Sequence, residues 1–80
     1  MSEVREHLTN VVRLIVDEPD EVEVYEYPEG RTTHFELHVA PDDLGKVIGR
    51  QGRTARAFRS LLMARGTSDG RRYELEILDD

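Results

Sequence analysis

The 80 residues carry 17 acidic and 11 basic side chains, a formal net charge of −6, with 38% hydrophobic and 35% charged residues and no cysteine. A chain of this length makes one thin-cored domain, residues 1–80, with little room for a deep substrate pocket. The missing thiols exclude disulfides, thiolate metal sites and cysteine catalysis and suit a reducing cytoplasm, while short apolar runs and a polar amino end lead us to expect neither a spanning helix nor a signal peptide.

In residues 3–16, Val4, Leu8, Val11, Val12 and Ile15 recur at spacings of three and four, which predicts a helix with one apolar stripe. Ser2 can cap it, Glu3 and Glu6 suit the positive end of its dipole, and Pro19 marks its exit. Residues 21–27 read as a strand, Val22 and Val24 on one face and Glu23, Tyr25 and Tyr27 on the other. Pro28-Glu29-Gly30 is the expected turn into a partner strand, 32–39, where Thr33, Phe35, Leu37 and Val39 alternate with His34, Glu36 and His38. Pro41 opens the next helix, with Asp42 and Asp43 in its first turn and Leu44, Val47 and Ile48 on its apolar side. It should stop at Gly49. A further helix starts near Arg53, with Ala57, Phe58, Leu61 and Leu62 as its buried face and Gly66 as the left-handed residue that closes it. Thr67-Ser68-Asp69-Gly70 is the expected turn, and 72–78 the last strand, with Tyr73, Leu75 and Ile77 inward. The order αββααβ predicts an α+β fold: three helices on one face of a three-stranded mixed sheet, with the last two strands parallel.

The charge is distributed unevenly. Residues 1–43 contain 3 basic and 12 acidic side chains, whereas residues 44–72 contain 8 basic side chains and a single acid, Asp69. Local potential, rather than net charge, attracts a polyanion. The basic segment holds Gly45-Lys46-Val47-Ile48-Gly49-Arg50-Gln51-Gly52-Arg53-Thr54. Its two glycines, three apart between helices, permit unusual backbone angles and leave main chain uncovered. The loop leads into a helix amino end, where unpaired N–H groups favour an anion. Arg50 projects from its tip, Lys46 and Arg53 flank it, and Arg56 lies one turn on. Val47 and Ile48 supply an apolar floor, with the hairpin strand's edge expected as the opposite wall. Unstacked bases fit such a groove better than a paired duplex does.

The run Val47-Ile48-Gly49-Arg50-Gln51-Gly52 resembles the Ile-Gly-x-x-Gly signature of KH domains, and the element order resembles their type II arrangement. More closely, Asp20-Glu21-Val22, Val39-Ala40-Pro41, Asp43 to Gly49 and Gly52-Arg53-Thr54-Ala55 resemble the small stand-alone bacterial KH proteins of the KhpA (YlqC-like) family, over nearly the whole chain. That resemblance implies single-stranded RNA binding in the cytoplasm, as an RNA chaperone or post-transcriptional regulator. It also implies a homodimer, or a heterodimer with a second KH-containing RNA-binding protein linked to cell elongation and division. The implied RNA-binding residues are Lys46, Val47, Ile48, Gly49, Arg50, Gln51, Gly52, Arg53, Thr54 and Arg56. Where the signature has a bulky aliphatic residue, this chain has Ala55, and Phe58 is expected to fill the space.

No catalytic constellation is legible, and the triphosphate-loop pattern ending in Gly-Lys-Ser/Thr is absent. No cofactor or metal is expected. His34 and His38 share a strand face but lie about 13 Å apart at strand rise, too far for one ion. The roles of Arg59, Arg65, Arg71 and Arg72 stay open, and Tyr25 and Tyr27 are aromatics available to stack on a base or to bury in a contact.

Overall fold

The computed structural model describes residues 2–79. Helix α1 (Glu3–Ile15) leads into strands β1 (Glu23–Glu29) and β2 (Thr32–Val39), then helices α2 (Leu44–Ile48) and α3 (Arg53–Asp69), and strand β3 (Arg72–Asp79). The Ser2 hydroxyl caps α1 by accepting from the Arg5 amide. The sheet order is β1-β2-β3, with β1 antiparallel and β3 parallel to the central β2. This is the expected α+β arrangement of three helices and a mixed sheet.

The alternation in β2 sends Thr33, Phe35, Leu37 and Val39 inward, all buried. They meet Val4, Leu8 and Val12 of α1, Val47 of α2, Phe58 and Leu62 of α3 and Leu75 of β3 in one core. Burial on one side of the sheet leaves the other side to charge. In register, Tyr27, His34 and Glu74 form one row and Tyr25, Glu36 and Glu76 the next.

Several expectations are corrected. The hairpin strands continue through Pro28 and Glu29, and the turn is Gly30-Arg31. Pro28 is tolerated because β1 is an edge strand. Val11 and Ile15 lie on the exposed margin of the α1 stripe. In α3 the buried face is Ala55, Phe58, Leu62 and Gly66, while Ala57 and Leu61 are exposed. Gly66 does not close the helix. A side chain there would put its Cβ 2.5 Å from the Arg71 carbonyl oxygen, so glycine is required for close approach. The helix runs on to Asp69 and ends at left-handed Gly70. Pro41 opens a 3-10 turn, Pro41–Asp43, rather than α2 itself.

Asp43 is 1% exposed, and its two carboxylate oxygens accept from the amides of Asp17 (3.1 Å) and Glu18 (3.0 Å). The carboxylate of α2's entry thereby fixes the exit of α1. The helix-dipole argument applied to the sequence did not find this role, because the partners are 25 and 26 residues away.

Candidate nucleic-acid interface

Helix α2 is only five residues long because Gly49 leaves helical geometry, with φ 78° and ψ 169°. Its amide closes α2 by donating to the Gly45 carbonyl at 2.8 Å. A Cβ at Gly49 would lie 2.2 Å from Thr54 Oγ1, so glycine is required there by both angle and space. The chain then makes a 3-10 turn, Arg50–Gly52, containing two further positive φ angles: Gln51 at 57° and Gly52 at 74°. A non-glycine residue in the left-handed region is uncommon, and it marks the tip of this turn. Gly52 differs from Gly49, because a Cβ on it would meet nothing within 4 Å. Gly52 is therefore bare toward open space.

The turn is ringed by cations. Arg50, Arg53 and Arg56 are exposed. Arg53 Nη2 donates to Gln51 Oε1 at 3.3 Å and braces the tip. Arg50 and Arg56 make no side-chain hydrogen bond or ion pair among the described residues, leaving two uncompensated guanidinium groups beside the turn. Gly52 caps α3 without a side-chain hydrogen bond, so no side chain of its own answers the helix amino end. Lys46 is exposed too, but its ammonium holds Asp17 Oδ2 at 2.9 Å. That hydrogen bond, reinforced by the charge of Asp17, raises the Lys46 pKa.

The remaining expected residues divide between surface and core. Ile48 is 37% exposed next to the turn, whereas Val47 is 0% exposed and belongs to the core. Thr54 is half-buried under Gly49. Ala55 and Phe58 are both buried, and Phe58 packs in the core.

The opposite wall is not the hairpin. The hairpin's open edge is β1, which packs with α1, while β3 packs with α2 and α3 and has its own open edge. A cleft of about 720 Å³ lies along that β3 edge, lined by Arg59, Met63 and Thr67 of α3 and by the run from Arg71 to Leu75, which includes the Arg72–Glu74 ion pair. Arg59 donates through Nε and Nη2 to the Leu75 carbonyl at 3.4 and 3.2 Å. Arg65 is turned to Asp69 and Glu3 at the other side of α3. Arg71 secures the hairpin turn through the Gly30 carbonyl and Thr33 Oγ1, and Arg72 pairs with Glu74.

The histidines belong to the sheet's outer face. His34 lies between Glu29 and Glu74 at 3.3 and 3.4 Å, and His38 meets Glu36 at 3.3 Å and the edge of Tyr25. No group of three metal-ligating side chains occurs among the described residues. No helix among them is long and apolar enough to cross a membrane.

Residues 5–77 match the family described as KhpA/KhpB, KH domain. A protein of Halalkalibacterium halodurans named RNA-binding protein KhpA is 50% identical over 70 residues, which cover 88% of this chain and 92% of that protein. A Leifsonia xyli protein of the same name is 49% identical over 73 residues, 91% of this chain and 93% of that protein. Another, from Aquifex aeolicus, is 44% identical over 79 residues, 99% of this chain and all of that protein.

Proposed function

The chain belongs to the KhpA/KhpB KH-domain family, and from that premise we propose that it binds single-stranded RNA over the turn Gly49–Gly52, without catalysing a reaction. The observation that carries this reading is the turn itself: bare main chain at Gly52, with exposed and uncompensated Arg50 and Arg56 beside it. Phosphates lie against the amides of Arg50 and Gln51 and the Arg50 guanidinium, the Gly49 and Gly52 amides being spent on the Gly45 and Gly49 carbonyls, and Arg53, Arg56 and Lys46 add charge. Ile48 gives the bases an apolar surface, with Val47 supporting it from the core. Gly49 and Thr54 hold the turn in shape. A KH site clamps about four nucleotides, and the bases then face the groove between α3 and the open edge of β3.

Titrating fluorescent single-stranded RNA with the Arg50→Asp, Gln51→Asp double variant tests this. Binding should fall by about a hundredfold or more as two anions replace a cation and a neutral amide at the phosphate path, with the circular dichroism unchanged. Undiminished binding would reject the site. Parent affinity should also fall with salt at a log–log slope of about −0.7 per phosphate neutralised.

In this reading the chain acts in the bacterial cytoplasm as an RNA chaperone or post-transcriptional regulator, with influence on cell shape through its RNAs. Pairing with a second copy, or with another KH-containing RNA-binding protein, links two short sites and raises affinity. A specific observation favours such pairing. Helices α1 and α3 bound an apolar groove lined by Val4, Leu8, Val11, Phe58, Leu61 and Leu62. Leu61 is 68% and Leu14 of α1 87% exposed. Light scattering of Leu61→Glu against the parent checks it.

A further inference from the structure

We propose that Arg59 selects which base enters the groove, favouring bases that present two adjacent hydrogen-bond acceptors, guanine and cytosine, over adenine and uracil. This deepens the proposed RNA-binding reading and rests on it.

The argument starts from β3. It is a sheet edge, paired only with β2, and its Leu75 carbonyl points away from the sheet, where Arg59 reaches it. Arg59 is exposed, yet its guanidinium is not free to swing. Nε (3.4 Å) and Nη2 (3.2 Å) converge on one oxygen, tying the middle of α3 to the strand edge. A guanidinium carries five N–H donors in a rigid plane. Two are spent on Leu75, so the others are held in a fixed direction over the groove. An anchored planar fork recognises paired acceptors, because the two hydrogen bonds need no further ordering of the side chain.

Position supports the same role. Arg59 lies six residues after Arg53, about 9 Å down α3 from the clamping turn at the usual helical rise. That is comparable to the distance between a nucleotide's phosphate and the far edge of its base. Met63, one turn further on, is 69% exposed and lines the same cleft, offering a polarizable apolar surface to a base face. The other arginines of the basic segment do not offer this. Arg65 is held by Asp69 and Glu3, and Arg71 by Gly30 and Thr33 on the hairpin side.

Among the four RNA bases, guanine (O6, N7) and cytosine (O2, N3) each present two neighbouring acceptors. Adenine places an amino donor beside its acceptors, and uracil places its N3–H between two carbonyls.

The experiment measures affinities of the full chain for single-stranded oligo-uridine probes of equal length, either unmodified or carrying guanine, cytosine or adenine substitutions at each position in turn. The parent should prefer guanine- or cytosine-containing probes by about tenfold at one position, the scale of one good bidentate contact. Arg59→Lys keeps the charge and a donor to Leu75 but lacks the fork. It should lose that preference, its affinities for the guanine- and cytosine-containing probes falling to within about threefold of its own affinity for unmodified oligo-uridine. Arg59→Gln, with circular dichroism as a folding check, should lose it too. A parent without the preference, or an Arg59→Lys protein that retains it, overturns the assignment. The Arg50→Asp, Gln51→Asp protein is run alongside. If that variant binds normally, the clamp is misassigned; if it loses all probes while Arg59→Lys keeps the parent's base ranking, the clamp stands and the role of Arg59 falls.

Discussion

The turn between α2 and α3 and the outer face of the sheet are both solvent-facing and rich in charge, but they treat charge in opposite ways. On the sheet, hydrogen-bonding and cationic groups meet carboxylates at short range: the His34 ring with Glu29 and Glu74, the His38 ring with Glu36, and the Arg72 guanidinium with Glu74. Carboxylates remain in excess there, with Glu36 and Glu76 opposite one another in register. At the turn, Arg50 and Arg56 have no carboxylate partner among the described residues, and Lys46 alone is matched, by Asp17. A chain of net charge −6 thus keeps, at this turn, neighbouring guanidinium groups to which an anion can add interactions rather than compete for them.

The sharpest way to break the comparison is through the glycines of the turn. Gly49→Ala should destabilise the fold by about 3 kcal/mol or more, since its Cβ would collide with Thr54 at a φ of 78°. Gly52→Ala, with open space around the same atom, should cost about 1 kcal/mol for its left-handed angle. Urea denaturation of both proteins checks this, and equal losses would mean that the turn can relax.

A smaller effect separates the two surfaces in binding. Paired Glu36→Gln and Glu76→Gln substitutions should change affinity for single-stranded RNA by less than about threefold, against the large loss expected from the Arg50→Asp, Gln51→Asp pair. They should also stabilise the sheet by about 0.2–1 kcal/mol, because two like charges face each other across β2 and β3. A binding change as large as that of the turn variant would mean that RNA runs over the sheet.

Smaller again is the one cation near the turn that is already matched. Asp17→Asn should release Lys46 and raise RNA affinity by about two- to fivefold, an exposed ion pair being worth up to about 1 kcal/mol. In a Lys46→Ala background that gain should shrink to the residue of long-range charge. Anisotropy titrations of the four proteins of this cycle provide the measurement, and equal gains in both backgrounds would show that Lys46 takes no part.

The last effect concerns matched charge away from both surfaces. The Tyr73 hydroxyl, donating to Asp69 at 2.6 Å, and the neighbouring Arg65 hold the Asp69 carboxyl below its usual range. A depressed folded pKa contributes stability that is complete above the unfolded value, about 3.9, and is lost as pH falls through the folded one. Asp69→Asn should therefore be less stable than the parent at pH 7. The gap should close below about pH 4, as read by thermal melts across that range. A gap independent of pH would assign the loss to hydrogen bonding alone.

The elements and the turn were legible because their signals are local. Alternation in β2, the cap at Ser2 and the helix stop at Gly49 depend on residues within a few positions of each other, and each stands where those signals put it. The turn's glycine pair and its basic neighbours were legible for the same reason. What could not be read depended on distant contacts. Asp43 looked like a helix-start acid until the exit of α1 came to rest on it. Gly66 looked like a helix end because glycine usually is one, yet the approach of the Arg71 carbonyl is what excludes a side chain there.

Local chemistry along the chain was therefore enough to specify the order of helices and strands, the positive-φ turn and its cations, because backbone angles and charge sequence are properties of neighbouring residues. Packing of the helices on the sheet settled what the order alone did not, setting the cleft between α3 and the open edge of β3 rather than against the hairpin. The same packing divided the arginines, tying Arg65 and Arg71 into the scaffold and bringing Arg59 across to Leu75. No spacing rule encodes such partners, since they lie up to 62 residues apart in sequence and meet only when the core closes.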